Sequence, residues 1–139
     1  MLRNKTLKIA AIVIFGSFAI IPIAIADTLP TSIDECKNTY VKDVLYRLSS
    51  PDENGVYIPI RNSGSAISYT NGAYQVSYKF VPALHQSQRG DEVRLCLTSI
   101  PDCSRAKPND KRGKRYLATN LRTGASWELP DSQHMCGGA

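Results

Sequence analysis

The sequence predicts a mainly β protein, with an α+β arrangement as the alternative. The expected form is a small antiparallel barrel or curled sheet of about five strands, with one or two short helices and two disulfides. Three observations lead there. Asn71-Gly72 stands between two runs of alternating apolar and polar residues, the mark of a tight hairpin. A second alternating pair flanks Arg122-Thr123-Gly124, and Glu92–Ser99 alternates cleanly on its own. Four cysteines follow an apparent export leader, and an even number in a small exported chain reads as two cross-links.

The leader comes first in the chain. Arg3, Lys5 and Lys8 precede an apolar run from Ile9 to Ala26 that ends in Ala24-Ile25-Ala26, and polar sequence starts at Asp27. This is the pattern of a signal peptide over residues 1–26, removed to leave one disulfide-stapled domain over 27–139. The competing reading is an uncleaved anchor, since 18 residues can just span a bilayer. Gly16, Ser17 and Pro22 interrupt the run, which suits cleavage and leaves no stable membrane span. No cysteine sits at the junction, so no lipid is expected there. The product would be periplasmic or secreted, where thiols oxidise.

Cleavage also changes the charge. The whole chain has 17 basic and 12 acidic residues, a formal +5, but three of the basic residues lie in the leader. The remaining 113 residues therefore carry only +2, too little to suggest a nucleic-acid partner.

Each element of the domain has its own signal. Ser32-Ile33-Asp34-Glu35 matches a capping box, and Ile33, Cys36, Tyr40, Val41, Val44, Leu45 and Leu48 recur at three- and four-residue steps. The spacing predicts a helix over 33–48, against a strand favoured by Thr39, Tyr40, Val41 and Val44. Residues 49–64 hold Pro51, Gly55, Pro59 and Gly64 and read as a loop around a short strand, Val56–Ile60. A two-residue turn at Asn71-Gly72 joins strands 65–70 and 73–79, with Tyr69 opposite Tyr74 and Ile67 opposite Val76. Pro82 opens a short helical segment within 81–87. In 92–99, Val93, Leu95 and Leu97 face one way and Cys96 the other. Residues 101–113 form a charged loop. A three-residue turn at 122–124, with Gly124 left-handed, places Leu121 opposite Ala125 and Thr119 opposite Trp127. Three cysteine pairings exist; the favoured one closes Cys96–Cys103 around a short turn and joins the ends through Cys36–Cys136.

Candidate binding residues cluster in the charged loop. Arg105, Lys107, Lys111, Arg112, Lys114 and Arg115 face only Asp110 as a local acid, and Asp27–Glu53 is acidic by comparison. Arg112, Lys114 and Arg115 lead as donors to an anionic partner such as a phosphorylated glycan, a lipid headgroup or an acidic protein face. A solvated loop explains the same run. Trp127, with Tyr69, Tyr74 and Tyr78, would suit an aromatic glycan face or the core. His134 follows Asp131 and Ser132, a set from which a small hydrolase could draw, although such a short tail segment more readily makes turn hydrogen bonds. Arg89-Gly90-Asp91 reads as a turn entering a strand. No metal-ligand spacing, phosphate-binding glycine loop or nucleophile elbow is present, so no cofactor is expected.

The closing block Asn120-Leu121-Arg122-Thr123-Gly124-Ala125-Ser126-Trp127-Glu128-Leu129-Pro130-Asp131-Ser132-Gln133-His134-Met135-Cys136-Gly137-Gly138-Ala139 resembles the end of a group of small exported bacterial proteins with no assigned activity. Gly64–Leu97 resembles that group more weakly. The resemblance implies an exported bacterial domain and carries no activity across. The sequence thus leads to a non-enzymatic binding module for an envelope component or partner protein, an inhibitor or immunity-like protein being one form. The hydrolase and a structural envelope protein are the alternatives.

Overall fold

The computed structural model describes residues 28–138; the leader assigned to residues 1–26 lies outside them. Six antiparallel strands form one curled sheet in the order β5-β4-β1-β6-β7-β8, a half-barrel. They are β1 (Cys36–Tyr46), β4 (Ser65–Tyr69), β5 (Tyr74–Ser77), β6 (Glu92–Ser99), β7 (Arg115–Asn120) and β8 (Ser126–Pro130). A separate two-stranded arm pairs β2 (Ser49–Pro51) with β3 (Tyr57–Pro59). A 3₁₀ turn at Arg61–Ser63 and the single helical turn α1 (Pro82–His85) complete the elements.

Residues 36–46 form a strand, not the expected helix. Glu35 does reach back as a capping box would, accepting the backbone N–H groups of Thr31 (2.7 Å) and Ser32 (3.1 Å). Asp34, however, takes a left-handed conformation (φ 68°), so the turn closes without propagating. Those N–H groups, joined by Lys37, hold the Glu35 carboxyl down at about 2. The three-residue spacing that mimicked a helix is a bulge. Thr39 and Val41 point into the core, the register against β4 shifts between Val41 and Asp43, and Val44 is the next residue packed inward. One extra residue converts a period of two into a step of three. The same bulge lets β1 serve both halves: Cys36–Tyr40 pairs with β6, and Val41–Tyr46 with β4.

Both hairpins form, each one residue away from the expected register. Ser65 pairs with Ser77 and Ile67 with Gln75, leaving a three-residue loop, Thr70-Asn71-Gly72. The Asn71 side chain accepts the Ala73 N–H (3.0 Å), and Gly72 is left-handed at φ 86°. At the second hairpin Thr119 pairs with Ser126 and Ala118 with Trp127, so the loop holds four residues, 121–124. Here Asn120 Oδ1 accepts the N–H groups of Arg122 (2.9 Å) and Thr123 (3.1 Å), and Gly124 is left-handed as expected. In each case an asparagine side chain sets the loop length.

The slip places Gln75 inside. Its amide spans the seam between β5 and β8, which share no ladder: Nε2 donates to Tyr116 O (2.6 Å) and Leu129 O (3.2 Å). Oε1 accepts from Tyr69 Oη (2.7 Å) and Trp127 Nε1 (3.0 Å). All four hydrogen-bonding positions of this fully buried amide are filled. The hydrophobic core includes Val41, Ile67, Tyr69, Leu84, Val93, Leu95, Leu97, Tyr116, Ala118 and Trp127. α1 supplies Leu84 to this cluster, and the strand at 92–99 has the facing expected of it.

The two disulfides join Cys36 to Cys96 and Cys103 to Cys136, correcting the expected Cys96–Cys103 and Cys36–Cys136 pairs. Cys36 and Cys96 are directly opposite in the β1–β6 ladder. Once β1 is a strand beside β6, the nearest sulfur to Cys96 lies across the sheet. Among the described residues no helix is long and apolar enough to cross a membrane.

Candidate functional site

The basic loop is a built platform rather than a free strap. It runs from Ile100, where β6 ends, to Lys114, where β7 begins, and the chain's final segment is laid against it. Cys136 is bonded to Cys103, and its N–H donates to Arg112 O (3.0 Å). Asp131 accepts the Gly113 N–H at Oδ1 (2.7 Å), while its own N–H donates to Lys114 O (2.9 Å). Gly113 has to be glycine: it is left-handed at φ 104°, and a Cβ there would meet the Met135 backbone at 3.3 Å.

Within the platform the charges sort into two groups. Arg112 forks onto Asp110 with two 2.8 Å contacts and reaches Gly138 O (3.1 Å). Asp110 also accepts the Gly137 N–H (3.0 Å), and these donors, Arg112 foremost, hold its carboxyl well below the usual carboxylate range. Arg115 pairs across the second hairpin with Glu128 (3.2 Å). Two of the three leading sequence candidates are therefore countered by carboxylates. Lys114 is not, nor is Lys111: among the described residues neither makes an ion pair.

Those two lysines meet at a pocket of about 460 Å³ lined by Ile100, Pro101, Cys103, Ser104, Lys111 and Lys114. Its lining residues are an isoleucine, a proline, one half of the disulfide, a serine and two lysines. The arrangement fits a ligand with an anionic end and an apolar body. Lys111 was visible in the sequence as a member of the basic run. The signal that separates it from Arg112 is Asp110, two residues before the arginine and positioned to neutralise it.

The remaining candidates lie elsewhere. Trp127 is 5% exposed and belongs to the core through Gln75. His134 is exposed, and its ring takes no hydrogen bond among the described residues; its backbone N–H donates to Ser132 Oγ (3.3 Å). Asp131 and Ser132 thus serve backbone groups, and the three side chains do not assemble an acid, base and nucleophile. The other histidine, His85, lies in a stack with Tyr46 and Phe80 and bonds the fully buried Ser65 hydroxyl (3.0 Å). Among the described residues no group of three or more His, Cys, Asp or Glu is placed to hold a metal ion. No family model, curated protein or solved structure matches the chain.

Proposed function

We propose that this chain is an exported, non-enzymatic binding module that captures an anionic group of an envelope component or partner protein in the Lys111–Lys114 pocket. The observation that carries this reading is the convergence of two uncountered lysines on a small, disulfide-pinned cavity whose lining also includes an isoleucine and a proline. Two unit charges 4 Å apart attract by about 4 kcal/mol at an effective dielectric of about 20, before desolvation is subtracted. A loop already fixed by a disulfide, Asp131 and Gly113 has little freedom left to lose when a ligand arrives. The two disulfides suit the oxidising compartment to which the leader would deliver the chain, periplasmic or secreted.

The test is capture from envelope extract by the natural oxidised protein, immobilised away from the loop. An anionic partner is expected, its retention falling steeply between 50 and 300 mM salt as screening shortens. The Lys111→Glu/Lys114→Glu variant should lose it, while Arg112→Gln should keep it. Retention that ignores salt and survives the double charge reversal would refute the site, as would turnover of an extract component by the purified protein.

A further inference from the structure

The β2–β3 arm is braced at both ends and presents one tyrosine. At its tip Asp52 Oδ1 accepts the N–H groups of Asn54 and Val56 (both 2.8 Å), and Gly55 is left-handed at φ 78°. At its base the Leu48 N–H donates to Ser63 Oγ (2.9 Å) and the Ile60 N–H to Leu48 O (2.9 Å). Pro51 and Pro59 fix one φ angle in each strand. Ser49 pairs with Pro59 and Pro51 with Tyr57, and opposed residues of an antiparallel pair share a face. Tyr57 on that face is 70% exposed.

This face borders a cleft of about 460 Å³ whose lining includes Arg47, Ser49, Tyr57, Pro59 and Tyr74. The volume lies within the range of about 300–1,000 Å³ usual for small-ligand sites. Arg47 is the only charged residue among the described residues that line it. Neutral partners hold its guanidinium in place. Nε donates to Ser63 O (2.5 Å), Nη1 donates to Gln133 Oε1 (2.7 Å), and Cζ lies 4.3 Å from the centre of the Tyr78 ring. Tyr78 Oη in turn donates to Gln133 O (3.3 Å), which closes the cradle.

These contacts position Arg47 without neutralising it. Among the described residues it joins no ion pair, and two of its five N–H donors are engaged, leaving Nη2 and the second proton of Nη1. Burial pushes the Tyr74 phenol up and the Arg47 charge opposes that rise, so the cation acts on Tyr74 within the same cleft. A fixed, unpaired guanidinium matches the planar fork of a carboxylate. A phosphate dianion would call for a second cation, and none lines the cleft among the described residues. The other lining residues bring two phenols, a proline ring and a serine hydroxyl. That mixture of flat apolar surface and polar tips suits a sugar ring, with its C–H faces and hydroxyl edge.

We infer that this cleft binds a carboxylate-bearing sugar of an acidic glycan, with Arg47 on the carboxylate and Tyr57 stacked on the ring. The inference is independent of the lysine pocket. The test is an NMR titration of the natural oxidised protein with trigalacturonate, its methyl ester, and the N-acetylglucosaminyl–N-acetylmuramic acid disaccharide. At least one acid should bind saturably, about tenfold or more tighter than the ester, with shifts at Arg47, Tyr57 and Tyr74. Comparing the two acids separates a uronate from a lactyl carboxylate as the source. Tyr57→Ala should weaken binding about tenfold with an unchanged urea midpoint, because the ring is largely solvated. Arg47→Gln also loosens the ties to Ser63 and Gln133, so it is read by the acid-to-ester ratio, which should fall to about one. Absence of saturable binding by either acid, equal binding of acid and ester, or affinity that survives Tyr57→Ala would overturn the inference. So would shifts centred on Lys111 and Lys114, or equal binding of acetyl-Glu-Glu-Glu amide, which would assign the cleft to an acidic peptide.

Discussion

Replacing Gln75 by leucine removes the buried amide that hydrogen-bonds from β5 across to β8, and its cost can be worked from the partners. Leucine has nearly the same volume, so no large cavity opens. Tyr116 O and Leu129 O are already in the β7–β8 ladder as an opposed pair, so each loses only a second donor. Tyr69 Oη and Trp127 Nε1 lose their acceptor, and both lie in the core. Each of the two orphaned donors costs about 1–3 kcal/mol, and the added apolar burial returns about 1 kcal/mol, for a net loss of about 1–5 kcal/mol. Against a typical total of about 5–15 kcal/mol this is a large fraction. Urea unfolding followed by the fluorescence of Trp127, the single tryptophan in the chain, reads it directly. A second variant tests the mechanism. Tyr69→Phe should cost about 1 kcal/mol in the natural protein, but be neutral or stabilising beside Gln75→Leu, where it removes an orphan. A Gln75→Leu protein within about 0.5 kcal/mol of the natural one, or an equal Tyr69→Phe cost in both backgrounds, would refute the reasoning.

Removing either disulfide by paired alanines should cost about 4 kcal/mol on the chain-entropy model, given separations of 60 and 33 residues, as read by urea titration. Only loss of Cys103–Cys136 should also abolish anion capture, because only that bond pins the pocket. Gly64→Ala should cost about 3 kcal/mol or more, since its Cβ would lie 2.1 Å from Ser77 O at φ 111°. Gly55→Ala, left-handed but in open space, should cost only about 1–2 kcal/mol in the same titration. Burial holds the His85 imidazole below its ordinary value, so the unfolded chain takes the proton first. Stability present above about pH 6.5 should therefore fall as pH drops below it, and His85→Gln should flatten that slope between pH 7.5 and 5. Asp91 and Asp110, whose carboxyls are held low chiefly by Arg122 and Arg112, add their own loss only below about pH 4.

Much of the sheet is legible where one residue's choice does not depend on distant partners. Strand 92–99 alternates without interruption, Pro82 starts a helical turn, and the glycines at 72 and 124 mark where chain direction reverses. What is not legible depends on side chains meeting across the fold. Asn71 and Asn120 each lengthen their loop by one residue through their own hydrogen bonds, and at the first hairpin that moves Gln75 from the solvent face to the seam. The bulge in β1 reproduces a helical spacing until β4 and β6 are known to flank it. The disulfide pairing follows from that adjacency, so it could not be read from spacing. At the candidate site the basic run is plain, but which cations stay uncountered depends on Asp110 and on Glu128, 13 residues beyond Arg115.

The most direct test of anion capture is an amide and side-chain NMR titration of the natural oxidised protein with hexyl phosphate, with inorganic phosphate alongside. Capture in the pocket predicts saturable shifts confined to Ile100, Ser104, Lys111, Lys114 and their neighbours, with hexyl phosphate binding at least tenfold more tightly because its chain meets Ile100 and Pro101. Shifts spread evenly over Arg105, Lys107, Arg112 and Arg115, without saturation and equal for the two probes, would contradict it and leave a merely solvated basic loop.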